Sequence, residues 1–461
     1  MVDRDTPWPA GTPCWVDLLT GDLGTLIKLP GGAPAFAAGA EYRKEESRFD
    51  PDAAVAGKLT YASALTATAG AFDVKEVFGE LSAPLLADLP LAHRLVVGGA
   101  VRLSDYSTAG RTASWKTDGS YSPLRGLSFN ATYSTAVRAP NISELYAGNS
   151  QVFGLIPDPC NSDQLHNGTP YRAANCRALL TSLGVADPAT YNNSRVVPIV
   201  GTSGGNPNLS AETAKTWTAG VLLQPQAPSG LSVRADWYDI NLRNAINTVT
   251  FQDVANLCVD SPTLANPYCA AITRQNGSGV GAQAGNITSF ALSPQNVSHF
   301  RTAGLDLTFG YAFAPARLGQ FNIQLVGNYR ERLEFVALPT GSVINRLGEM
   351  YAPKYSANGD LTWSMGPFTL NYGVQWFDRT LRDTNQALQS NPEEFAPAYT
   401  YIKAMWQHNV YVALKSKSGL EFFGGVNNLL DAQPDFAMTN YPVSPVGRYL
   451  YAGVRLKMPT L

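Results

Sequence analysis

Gly447-Arg448-Tyr449-Leu450-Tyr451-Ala452-Gly453-Val454-Arg455-Leu456-Lys457-Met458 is the run on which the fold class turns. Leu450, Ala452, Val454, Leu456 and Met458 share one face. Tyr449, Tyr451, Arg455 and Lys457 share the other, with Gly453 between them. An apolar face alternating with a polar one at period two is a half-exposed β-strand. A barrel strand in a membrane is apolar outside and polar inside, and fits the run. The last strand of a soluble sandwich fits it equally, so the run alone leaves both open.

The preceding sequence separates them. Leu305, Leu307, Phe309, Tyr311 and Phe313 alternate with Gly304, Asp306, Thr308 and Gly310. Phe321, Ile323 and Leu325 alternate with Gln320, Asn322 and Gln324, and Phe368, Leu370, Tyr372, Val374 and Trp376 with Thr369, Asn371, Gly373 and Gln375. The polar face is amide, hydroxyl and Asp; the apolar face ends in aromatics, as for a wet lumen and an interfacial girdle. Short connections near 85–91, 122–126, 226–230, 314–319, 366–367 and 415–419 alternate with long ones. Outer-membrane barrels keep short turns at one end and long loops at the other, and a sandwich has no reason to. The expectation is all-β: an antiparallel transmembrane β-barrel with about fourteen strands and long external loops. Residues 1–33 read as loop and 34–461 as the barrel domain.

Composition agrees. Charged residues are only 15% and the net charge is -2, so no basic footprint points to nucleic acid. No run of eighteen apolar residues offers a helical span. Met1-Val2-Asp3-Arg4-Asp5-Thr6-Pro7-Trp8-Pro9 lacks the basic and apolar regions of a signal peptide, so a fragment of a longer protein is expected. Cys160 and Cys176, and Cys258 and Cys269, form close pairs in long polar segments, with Cys14 left over. With no CxxC and no histidine cluster, local disulfides are favoured over a metal site, which implies an oxidising compartment.

Phe129-Asn130-Ala131-Thr132-Tyr133-Ser134-Thr135-Ala136-Val137-Arg138-Ala139-Pro140-Asn141-Ile142-Ser143-Glu144-Leu145-Tyr146 resembles the Y-S-x-x-F-R-A-P-x-x-x-E-L stretch of TonB-dependent outer-membrane receptors, with Val137 where that pattern has an aromatic. Gly205-Asn206-Pro207-Asn208-Leu209-Ser210-Ala211-Glu212-Thr213 resembles that family's G-N-P-x-L-x-x-E-T signature. Asp73 to Leu81 is similar to a barrel strand common in it, and Asn428-Leu429-Leu430-Asp431 to its N-L-x-D. The resemblance implies a plugged, 22-stranded barrel, of which this chain would supply a part, without plug or TonB box and with about eight strands missing. The family's final aromatic is replaced by Met458. It also implies a bacterial outer-membrane receptor that imports a scarce large solute (siderophore, cobalamin or oligosaccharide), with outer-membrane lipid, the TonB complex and an extracellular solute as partners. A passive, plugless channel for small solutes is the alternative.

Arg138 would pair with Glu144 or Glu212 at the barrel rim, or each would simply be solvated. Loop residues Tyr171, Tyr191, Asn192, Asn193 and Phe251 are candidates to stack on or hydrogen-bond a ligand. No catalytic residue, metal or cofactor is expected. His93, His166, His299 and His408 are scattered, with His408 on the lipid-facing phase. Gly201-Thr202-Ser203-Gly204-Gly205 matches G-x-S-x-G but lies in a polar loop. Asp50 and Asp52 read as a solvated turn rather than a calcium site.

Overall fold

A computed structural model describes residues 14–456 apart from 62, 194–197, 278–282, 337–342, 386–387, 389–395, 397–398, 417 and 436–440. Met458 lies outside the described residues.

One antiparallel sheet runs through the chain in sequence order. Its first six strands are Cys14–Asp22, Ala35–Phe49, Thr68–Leu89, Ala92–Tyr106, Gly110–Leu124 and Leu127–Arg138. Glu212–Leu223, Leu231–Thr248, Pro294–Phe313, Gln320–Val336 and Tyr355–Met365 follow. Phe368–Phe377, Met405–Lys415, Leu420–Asn427 and Tyr449–Leu456 complete it, and the two-residue strand Ile344–Asn345 adds to Gln320–Val336. The meander therefore has fifteen strands among the described residues, where the sequence suggests about fourteen. Among the described residues the first strand pairs only with the second, and the last only with its predecessor.

The additional strand is Cys14–Asp22, so within 1–33, read as loop, this stretch is corrected. It pairs from Cys14↔Arg43 to Asp22↔Ala35. Trp15 and Leu19 lie on one face but Val16 and Leu18 on the other, so no polar–apolar alternation marks it. A second correction concerns the connection expected near 85–91, of which only Pro90 and Leu91 lie between strands. Thr68–Leu89 continues through Pro84, with a register shift between Pro84 and Leu86. A bulge is where a strand tolerates a residue without an N–H.

The two faces differ as a barrel requires. Inward, Arg102 pairs with Glu76 at 2.9 Å, Lys116 with Glu80 at 2.9 Å, and Asn328 donates to Asp306 at 2.7 Å. Outward, aromatics form two belts. Towards the long loops Trp115 meets Tyr133 edge-on and Tyr133 lies tilted against Trp217, Tyr329 stacks on Tyr355, and Trp376 lies tilted against Trp406. The Lys354 ammonium lies 5.7 Å above both Tyr329 and Tyr355. Towards the short turns Phe313, Phe321, Trp363 and Phe368 form the second belt. Tyr329 to Phe321, Tyr355 to Trp363 and Trp376 to Phe368 each span eight residues. That is about 26 Å of strand, or roughly 20 Å along the membrane normal at a barrel tilt near 40°. Two aromatic belts that far apart bracket a hydrocarbon layer.

The short-turn end is tightly built. Gly126 has φ +82°, and a Cβ there would lie 2.2 Å from the Gln224 carbonyl oxygen of the neighbouring turn. The opposite end carries connections 50–67, 139–211, 249–293, 337–354, 378–404 and 428–448, with one exception, the tight turn at 107–109.

Leu325, 48% exposed on the outward face between the belts, gives a direct test. Leu325→Arg should cost roughly 2–4 kcal/mol of stability in liposomes. Gln324→Arg, on the inner face opposite Asp360, should be near neutral. Heat-modifiable gel mobility and urea unfolding measure both.

Candidate functional site

Two of the long connections, 139–211 and 249–293, fold together into one external cap. Its sheet runs Ile272–Arg274, Ile287–Leu292, Ile199–Ser203, Ser150–Gly154 in space, drawing strands from both connections. Helix Arg172–Ser182 comes from the first and helix Phe251–Asp260 from the second. The latter starts where Thr250 and Asp253 form a capping box. Beneath them lie two small cores. One gathers Cys160, Cys176, Leu180, Tyr191, Cys258 and Val259; the other Ile199, Val249, Val254, Ala255, Ile287 and Phe290.

Both expected disulfides form, Cys160–Cys176 and Cys258–Cys269, and Cys14 is free and exposed. Each disulfide lies within one connection, and two buried ion pairs tie one connection to the other. Arg274 donates twice to Asp158, at 2.6 and 2.9 Å, with both side chains almost fully buried. Arg172 donates to Asp260 at 2.8 and 2.5 Å. Sequence reasoning missed these four residues. The signal lay in Asp158 and Asp260, each two residues from a cysteine.

A rim cluster anchors the cap. Arg138 reaches Glu212 at 2.5 Å and grips Glu144 twice at 3.0 Å. Glu212 also accepts from the Ile246 N–H at 2.7 Å, and Glu144 completes a capping box with Asn141. Pro140 and Leu209 are buried, Pro207 is exposed, and the Asn206 amide donates to the Pro294 carbonyl at 2.9 Å. Both ends of connection 139–211 thus meet a third strand. Asn428 closes a turn on Ala432 with bonds of 2.7 and 2.8 Å. Leu429 N–H donates to His408 O at 2.7 Å, and Asp431 accepts from Arg448 N–H at 2.8 Å. These family-motif side chains shape loop roots.

The proposed ligand contacts divide. Tyr191 is 2% exposed, its hydroxyl directed at Asp158 and Asn286. Burial, reinforced by the Asp158 charge, pushes its pKa well above the usual phenol range. Phe251 packs edge-on against Phe290 at 4.8 Å and covers Gly154 and Gly201. Tyr191 is cap core, a correction to its reading as a ligand contact, and Phe251 is partly buried against the second core. Asn193 N–H is held by Asn161 at 2.8 Å, while Tyr171 and Asn192 are exposed. Ser203 ends a strand rather than occupying an elbow. Asp50 pairs with Arg48 and Asp52 caps Ala54. His408 bonds Tyr372 at 2.6 Å on the outward face.

Residues 12–429 match the family model described as TonB dependent receptor-like, beta-barrel. No curated protein matches. Among solved structures, the siderophore receptor PirA from Acinetobacter baumannii is similar at 12% identity and TM-score 0.59, covering 96% of this chain and 54% of that one. A mutant ferric enterobactin receptor PfeA from Pseudomonas aeruginosa, in complex with enterobactin, is similar at 13% identity and TM-score 0.58, with the same coverages. PirA from Pseudomonas aeruginosa gives 15% identity, TM-score 0.53 and coverages of 96% and 56%. The chain thus spans about half the length of these receptors.

Two outcomes follow from the cap. Arg274→Ala strands the buried Asp158 carboxylate and should destabilise the cap by about 3–5 kcal/mol. Hydrogen exchange should then rise in 150–203 and 251–292 while the barrel strands stay protected. The folded cap also holds the Tyr191 proton more tightly than the unfolded chain does. Its contribution is therefore intact below about pH 10 and declines as pH rises beyond that. Tyr191→Phe should flatten the alkaline loss of cap protection.

Proposed function

We propose a transport function on the premise that this chain belongs to the TonB-dependent receptor β-barrel family. It forms barrel wall and capture surface of a receptor that takes up a scarce, large solute with energy delivered by TonB. Members of this family are outer-membrane transporters rather than enzymes, and the two aromatic belts suit that membrane. The observation that carries the reading is the cap. Two connections, each closed by its own disulfide and joined to the other by buried ion pairs, then clamped to the rim through Arg138, present a pre-ordered external surface. A pre-ordered surface captures a solute without the entropy cost of ordering long loops. A passive pore for small solutes has no need of one.

The test is accumulation of radiolabelled solute by the source bacterium. Deleting the gene should abolish high-affinity accumulation, and deleting tonB should do the same with the gene present. Arg138→Ala should lower solute affinity at least several-fold without removing the barrel from the membrane. Accumulation that persists without TonB would sink the energised reading and favour a passive channel.

A further inference from the structure

Connection 50–67 crosses the cap as a strap. Gln151 N–H donates to Ala64 O at 3.1 Å, and the Thr66 hydroxyl donates to Asn149 O at 2.7 Å. Between strap and cap sheet lies a cleft of about 610 Å³, within the range of small-molecule sites.

The sheet's two faces are chemically distinct. Ile199, Gly201 and Phe290 point into the core beneath helix Phe251–Asp260. By strand alternation the other face carries Gln151, Phe153, Val200, Thr202, Ser289, Ala291 and Thr273. Register places Gln151 beside Thr202 and Thr202 beside Ala291 in one row. Phe153, Val200, Ser289 and Thr273 form the next. Among the described residues, the side chains of Gln151, Thr202, Ser289 and Thr273 make no hydrogen bond. Phe153 is 53% and Val200 44% exposed. Among the described residues, Lys58 is the one ionisable side chain lining the cleft.

Each hydroxyl and amide here both donates and accepts. Four such groups at strand spacing, beside aliphatic carbons in the cleft and with Phe153 exposed on the same sheet face outside its lining, match a ligand carrying many hydroxyls over C–H faces. An anionic metal chelate demands clustered guanidinium or ammonium groups, and a single lysine does not supply them. We infer that this cleft binds a neutral oligosaccharide. The inference rests on the receptor reading for its physiological role but not for its chemistry.

Binding is measured by calorimetry on the intact protein in detergent. The probes are maltohexaose, cellohexaose and xylohexaose, with ferric enterobactin as the anionic chelate. At least one hexasaccharide should bind in the micromolar range. The double variant Thr202→Val, Ser289→Ala should weaken it at least tenfold with Tm unchanged, and Lys58→Gln should change it less than twofold. No hexasaccharide binding, or ferric enterobactin binding that Lys58→Gln abolishes, overturns the inference even where TonB-dependent uptake is intact. Hexasaccharide binding without TonB-dependent uptake upholds the cleft and overturns the transport reading instead.

Discussion

A backbone crossing hydrocarbon must satisfy every N–H and C=O internally, because no water is there to do it. That constraint organises the whole sheet. Each strand pairs with its sequence neighbour, so the connections are free to be two residues long at one end, as at Pro90–Leu91 and Gly366–Pro367. Pairing also forces side chains to alternate faces. One set meets lipid and carries the aromatic belts; the other meets water and carries Glu76, Arg102, Lys116 and Asp306. Where the backbone cannot donate, at Pro84, the ladder shifts register.

The long connections face the opposite problem. Outside the membrane they have water for their polar groups but little apolar surface to bury. Segments of this size rarely hold a core alone. Here two of them pool their residues, and the shared cores stay small. Each disulfide closes a short loop, 16 residues for Cys160–Cys176 and 11 for Cys258–Cys269, removing about 3 kcal/mol of unfolded-state entropy in the simplest account. The ion pairs Arg274–Asp158 and Arg172–Asp260 contribute less net stability than specificity, since burying charge costs nearly what pairing returns. What they define is which connection packs on which.

Legibility in the sequence followed the same physics. Strands with one wet face, such as Gln320–Val336 and Phe368–Phe377, declare themselves by period two. Cys14–Asp22 carries apolar residues on both faces and was invisible for that reason. Cysteine spacing pointed to the disulfides because local pairing needs only proximity in sequence. The cap core did not show, since Asp158 and Arg274 lie 116 residues apart and nothing local marks them as partners. Tyr191 was misread because an aromatic in a polar loop looks the same whether it faces solvent or a neighbouring loop.

The motif residues explain why family resemblance says so much about fold and so little about cargo. Arg138, Glu144 and Glu212 hold both ends of connection 139–211 to the strand that begins at Leu231; Asn428 and Asp431 shape the root of the last connection. Their geometry is a requirement of launching long loops from a barrel rim, whatever those loops then hold. Residues that would touch a solute belong instead to the surface the loops build, where Gln151, Thr202, Ser289 and Thr273 answer to no structural demand within the described chain. Polar side chains with no partner among the described residues, set in two adjacent rows by strand register, are where a receptor is free to differ from its relatives. The chemistry of those rows is neutral, so a receptor whose barrel resembles those of siderophore receptors can carry a different cargo on the same frame.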